Sequence, residues 1–295
     1  MKGPLEDRVL VRPMTGDDVE IAYHAATMAF AETAEDRERA LSRTAEEVAN
    51  RQERYRHFLR TDPEGCWVAA DGEQVVGVAI AFRREKLWGL STFLVAAGYR
   101  GKGVGTGLLE RALSYYEGCR GGIIASSTHP AAMRSYATAG FALHPTLTAK
   151  GSVNREMLPA SLAVRDGEEA DLELAAGVDR HLRGAAHGPD LAFILRTGAR
   201  FLVSEHLAGR GYATVWDGSP WLVAATHPAV ATDLLWACLA DAPETEVEVR
   251  WLTGAQQWAI RVALAAGLKL ESAGPLCFKG ELGPLAPYLP SGGFL

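Results

Sequence analysis

Where the apolar run of residues 87–95 gives way to an amphipathic stretch, the chain reads Val95-Ala-Ala-Gly-Tyr-Arg100-Gly101-Lys102-Gly103-Val104-Gly105-Thr106-Gly107. Glycines carry no Cβ, so successive backbone N–H groups can turn toward one anion, and a helix start adds partial positive charge at the same point. The chemistry on offer is the cradling of a pyrophosphate. Two nucleotide motifs do not fit. A P-loop needs Gly-Lys followed by Ser or Thr, and the dinucleotide fingerprint needs GxGxxG, whereas these glycines recur at every second position from 101 to 107. Farther on stand His129, before Pro130, and Tyr136. A phenol of pKa ~10 can exchange a proton with an alkyl thiol of ~8.5. An imidazole of ~6.5 can act as a base, but just before Pro130 a helix cap is the simpler role.

These residues need elements to hold them. Arg8–Arg12 alternates like a strand, and Thr15-Gly-Asp-Asp18 offers caps for a helix toward Phe30. Glu35–Arg60 reads as an exposed amphipathic helix interrupted near Ser42. Its Arg51, Arg54, Arg56 and Arg60 suit a solvated face more readily than a phosphate grip. From Cys66 to Ala97 the period is two, with a turn at Asp71-Gly72, which predicts a three-stranded antiparallel meander. Val104, Leu108, Leu109, Ala112, Leu113 and Tyr116 then recur at helical spacing, and Gly122–Ser126 reads as a buried strand, together a right-handed crossover. Pro130 suits the first turn of a helix that Gly140 ends.

With this strand before it and helix after it, the glycine loop resembles the acetyl-CoA loop of GNAT N-acetyltransferases. Val95, Arg100, Gly103 and Gly105 fall on that family's spacing. His129-Pro-Ala-Ala132-Met-Arg-Ser-Tyr136-Ala-Thr-Ala-Gly140-Phe141 resembles its second motif, with His129 where the family has Asn. The resemblance implies that Val95, Arg100, Gly101, Lys102, Gly103, Val104, Gly105, Thr106 and His129 bind acetyl-CoA as co-substrate, with no metal. It also implies that the pantetheine arm lies like an added strand between two splayed parallel strands (90–97 and 122–128), that an N–H near Val95 stabilises the oxyanion, and that Tyr136 is the catalytic acid. The carboxylate that many members carry as base is missing, since 86–98 holds no Asp or Glu.

The second half repeats the element order with other residues: strand 162–165, helices, strands around 201–206, 212–216 and 221–226, helix 229–240, strand 246–251, helix 255–267 and two further strands. The expected architecture is therefore α/β, two tandem GNAT-like domains (1–158 and 159–295, divided near Pro159), each a mixed, mostly antiparallel sheet with a central parallel strand pair flanked by helices. The second is expected to be degenerate. Its counterpart of the loop, Ala224-Ala-Thr-His-Pro-Ala-Val230, has no glycine, and with Gly267 matched to Gly140, Gln256 and Ala263 stand where His129 and Tyr136 do. The second Thr-His-Pro-Ala, at Thr226, falls on a different element from the first and reads as coincidence. The apolar tail 285–295 should dock. By analogy with some multi-domain family members, its end is expected to stand in for the missing base.

At 295 residues, 48% hydrophobic and 22% charged, the composition is that of a folded globular protein, and a net charge of −6 disfavours nucleic acid or anionic membranes. Cys66, Cys119, Cys238 and Cys277 lie too far apart for a zinc motif or disulfide framework. No signal-like or membrane-length apolar run is visible, so a cytoplasmic location is expected. The expected activity is N-acetyl transfer to a primary amine of a small molecule, with a homodimer an open option; the alternative is a catalytically silent acyl-CoA-binding or scaffold protein.

Overall fold

A computed structural model of the chain describes residues 9–30, 34–216, 218–243 and 245–295. The chain divides into two units. One comprises the residues up to Arg83 together with Trp88–Cys119, the other Arg84–Leu87 together with Arg120–Leu295.

The first unit holds β1 (Val9–Pro13), α1 (Val19–Phe30), α2 (Ala34–Leu41), α3 (Ala45–Thr61), β2 (Cys66–Asp71), β3 (Gln74–Arg84), β4 (Leu87–Val95) and α4 (Val104–Ser114). Its strands lie in the order β1-β2-β3-β4, with β1 antiparallel to β2 and β2 to β3. Arg8 lies outside the described residues. The break near Ser42 is real: Thr44 caps α3 in a capping box, its hydroxyl accepting from Glu47 N–H at 3.2 Å while Glu47 accepts from Thr44 N–H at 2.6 Å. β3 is buried from Val75 to Phe82 because helices cover both its faces. Phe58 of α3 stacks on Phe82 with centroids 5.4 Å apart, and Leu108 of α4 sits where a Cβ on Gly77 would be.

The second unit holds β5 (Gly121–Ala125), α5 (Pro130–Thr138), β6 (Ala142–Gly151), β7 (Arg165–Asp166), α6 (Leu172–Leu182), α7 (Pro189–Arg196), β8 (Arg200–His206), β9 (Gly209–Trp216), β10 (Ser219–Ala225), α8 (Pro228–Ala240), β11 (Val247–Leu252), α9 (Gln257–Ala265), β12 (Lys269–Gly280) and β13 (Tyr288–Leu289). One set of strands runs β5-β12-β6-β11 and a separate sheet runs β13-β10-β9-β8-β7. The pairings β11–β6, β6–β12, β12–β5, β13–β10, β10–β9, β9–β8 and β8–β7 are all antiparallel. β7 is shorter than the strand expected at 162–165, because Leu162 and Val164 pack against the apolar core around α8.

The units do not part at 158/159. β12, from the end of the chain, lies between β5 and β6, and β6 in turn pairs with β11, so the last strands of the two halves are interleaved. The segment before Pro159 is also fastened to later elements, Asn154 N–H donating to the Ala266 carbonyl at 2.8 Å and Arg155 to that of Ala242 at 2.7 Å. A proline between two sets of elements marks where the element order restarts, not where packing ends.

The repeated element order has a residue-level counterpart. Arg12 grips Asp18 with two bonds of 2.7 Å, and Asp18 accepts from Thr15 N–H at 2.8 Å. Arg165 grips Asp171, with the same six-residue spacing, by two bonds of 2.7 Å, and Asp171 accepts from Glu168 N–H at 2.8 Å. Each half thus enters its first helix through one Arg–Asp clasp.

Candidate active site

The glycine loop belongs to the first unit and joins β4 to α4. Gly101 (φ 73°) and Gly103 (φ 80°) are left-handed, which explains glycine at these two positions. At Gly105, by contrast, a Cβ would meet nothing closer than Val95 Cγ2 at 3.4 Å, so internal packing does not demand glycine there. Gly103 is the N-cap of α4, and Gly107 N–H bonds to its carbonyl at 3.0 Å. The N–H groups of Val104, Gly105 and Thr106 are therefore those a helix start leaves over.

Both loop cations are tied to the loop. Arg100 Nε donates to the Val95 carbonyl at 2.9 Å and Lys102 Nζ to that of Gly98 at 2.6 Å. Tyr99 anchors the turn through a 2.8 Å bond to Asp71. Positive charge and exposed N–H groups are thus held at one exposed turn, while Val104 points into the core at 8% exposure.

Residues 29–141, which contain the loop and Tyr136, match the family described as Acetyltransferase (GNAT) family. The first half carries a GNAT acetyltransferase domain. The match spans 113 of the 295 residues and stops before the second half begins. Solved structures resemble it over nearly its whole length. A candidate acetyltransferase from Pyrococcus horikoshii is 17% identical, with a TM-score of 0.77 and coverage of 97% of this chain and 95% of that one. A GCN5-related N-acetyltransferase from Sphaerobacter thermophilus is 16% identical, with a TM-score of 0.56 and coverage of 93% and 96%. A tandem GNAT protein from the clavulanic acid biosynthesis pathway is 15% identical, with a TM-score of 0.56 and coverage of 92% and 98%. At such identities the likeness is one of fold. No curated protein matches the sequence.

Tyr136 and His129 belong to the second unit. The Tyr136 ring is buried at 4% exposure, and burial, with Cys277 adding to it, pushes its phenol above the ordinary tyrosine value. The pKa match with a thiol that the sequence suggests is not kept in the folded chain; Tyr136 stays a protonated donor. His129 is the N-cap of α5, its Nδ1 accepting from Ala131 N–H at 3.2 Å. The other Thr-His-Pro-Ala does the same for α8, where His227 Nδ1 accepts from Ala229 N–H at 3.2 Å. The repeated tetrapeptide is a helix-start device used twice, on different elements.

The corresponding junction of the second half carries no glycine. Only Thr226 and His227 separate β10 from α8, Pro228 has no N–H, and the His227 side chain takes that of Ala229. The place beside β10 is also filled. β13, from the chain's own tail, pairs with it at Val223↔Leu289 and Ala224↔Tyr288, where a pantetheine arm would run as an added strand in a working member. Gln256, the counterpart of His129, holds this strand: its Nε2 donates to the Leu285 carbonyl at 2.7 Å and its Oε1 accepts from Tyr288 N–H at 3.2 Å. The docking expected of the tail is thus found within the second half, where Phe294 and Leu295 are fully buried and Phe294 lies 5.7 Å from the Phe193 ring and 6.0 Å from that of Trp221.

A contact of α3 with β4 escapes sequence reasoning. Arg54 donates to Ser91 Oγ at 2.8 Å, and Tyr55 beside it is 2% exposed, its phenol raised by burial above the ordinary tyrosine value. The signal was the Arg54-Tyr55 pair on the helix, but helical spacing does not say which strand it faces. Arg56 and Arg60 pair with Glu53 on their own helix, as a solvated face does. No described helix is long and apolar enough to cross a membrane.

Proposed function

We propose that this chain transfers the acetyl group of acetyl-CoA to a primary amine of a small molecule, using the loop of the first half alone to hold the pyrophosphate. The observation that carries the reading is the loop itself: left-handed Gly101 and Gly103 lead into the start of α4, whose first N–H groups have no intrahelical partner, beside Arg100 and Lys102, within the stretch that matches the acetyltransferase family. The amine nitrogen attacks the thioester carbonyl, charge collects on its oxygen, and collapse breaks the C–S bond. In this reading a backbone N–H near Val95 steadies the oxyanion, Tyr136 donates a hydrogen bond to the departing sulfur, and the amine proton passes to solvent. His129 keeps α5 capped. Arg54, bonded to Ser91 of β4, and its neighbour Tyr55 form one wall for the acceptor.

A catalytically silent acyl-CoA binder is the competing reading, favoured by the lack of any carboxylate between Lys86 and Gly98. The test is release of free CoA from acetyl-CoA with a panel of polyamines, amino acids, aminoglycosides and lysine peptides. Turnover above hydrolysis with any amine supports transfer; tight acetyl-CoA binding with no turnover across the panel supports the silent reading.

A further inference from the structure

Within the second unit, the end of α6 and the turn after it hold a polar cluster that the acetyl-transfer chemistry does not use. Arg183 is 0% exposed, and none of its three guanidinium nitrogens has a hydrogen-bond partner among the described residues. The hydroxyl of Tyr288 (3% exposed) and Nε2 of His187 (1%) are buried and unpartnered as well. The nearby carboxylates are already engaged. Asp179 accepts from Tyr212 OH at 2.6 Å on one oxygen and from the ring and backbone N–H of His187 at 2.7 and 3.1 Å on the other, while Asp190 is gripped by Arg84 at 2.5 and 2.7 Å.

A buried guanidinium without hydrogen bonds forfeits several kcal/mol of hydration, so the fold retains it at a cost unless something answers it. Because the Asp179 carboxylate can only accept, the His187 nitrogen facing it carries the hydrogen. Burial, and then the charge of Arg183, hold the ring below its ordinary pKa, so Nε2 is a lone pair in want of a donor. The same charge is felt at Tyr288. The cluster thus offers a guanidinium fork and a phenol as donors and one imidazole nitrogen as acceptor.

We propose that the second unit binds a small organic carboxylate at Arg183 and Tyr288, with a hydroxyl or amino group on the adjacent carbon donating to His187 Nε2. The fork matches a carboxylate bidentately, and the acceptor selects a 2-hydroxy or 2-amino acid over a plain one. The inference does not depend on acetyl transfer.

Enclosure makes exchange slow, so the test is at equilibrium. The urea unfolding midpoint of the full chain is measured after refolding in glycolate, acetate or chloride at fixed ionic strength. Glycolate is expected to raise the midpoint saturably, acetate less and chloride not at all. Arg183→Met should abolish the shift, and Tyr288→Phe, which keeps the shape of the side chain, should weaken apparent glycolate affinity about tenfold. No shift in the native chain, or an equal shift in Tyr288→Phe, would overturn the site; equal shifts with acetate and glycolate would overturn the role of His187.

Discussion

At the scale of single residues, the glycines of the loop do different work. Those at 101 and 103 are dictated by left-handed backbone, whereas at 105 a Cβ would make only ordinary contact with Val95 and Phe93. Tyr136→Phe is expected to lower kcat by roughly 10²-fold while leaving the KM for acetyl-CoA within a few-fold, as loss of a donor acting late in the reaction would. The pH profile carries a second check. Burial raises the Tyr136 phenol above its ordinary 10.0, so its protonated form persists to higher pH and it sets no alkaline limb below about pH 10. A limb near pH 8 that disappears in Tyr136→Phe would contradict this. The Arg–Asp clasps act on stability instead. Hydrogen bonds from Arg12, opposed in part by burial, hold the Asp18 carboxyl at about 2, and those from Arg165 do the same for Asp171. A lowered carboxyl pKa stabilises the fold above the unfolded value of ~3.9 and loses that contribution as pH falls toward about 2. The urea midpoint should therefore drop over that window, and less steeply in Asp18→Asn, which starts lower at neutral pH.

At the scale of elements, the interleaved strands and the tail strand are the parts most open to test. Gly274, at the irregular step of β12, approaches β5 so closely that a Cβ would lie 2.0 Å from the Ser126 carbonyl oxygen, and its own carbonyl accepts from Thr146 at 2.7 Å. Gly274→Val should cost about 3 kcal/mol or more of stability, read from the urea midpoint, because backbone and not a pliable side chain must move. Gln256→Leu should cost about 2–4 kcal/mol by stranding the Leu285 carbonyl, the Tyr288 N–H and Trp258 Nε1, whose bond to Gln256 is 2.8 Å. Acetyl-CoA affinity should stay unchanged in that variant, since the strand that Gln256 holds serves the second half. Most elements are legible from period and caps: the meander, α4, α5 and the break before α3 fall where the residues put them. The identity of strand neighbours is not. Alternation in 142–151 and 269–280 shows that these are strands, but the same alternation suits any partner, and only tertiary packing sets β12 between β5 and β6. The two-residue β13 is shorter than any pattern that period can detect.

At the scale of the whole molecule, two halves with one element order differ at the junction between a strand and the helix that follows it. The first keeps a long glycine junction; the second shortens it to Thr226-His227, caps its helix with its own imidazole and fills the strand position beside β10 with its own tail. The missing glycines of the second half are legible in the sequence, whereas its occupation by β13 and the polar cluster around Arg183 are not, because both arise from residues distant in the chain. Of the two halves, only the first is expected to bind acetyl-CoA. Calorimetric titration of the full chain with acetyl-CoA, beside a Gly103→Glu variant whose carboxylate would repel and obstruct the pyrophosphate, tests it most directly. The account predicts one equivalent bound by the native chain and none by the variant; two equivalents, or binding that survives in Gly103→Glu, would contradict it.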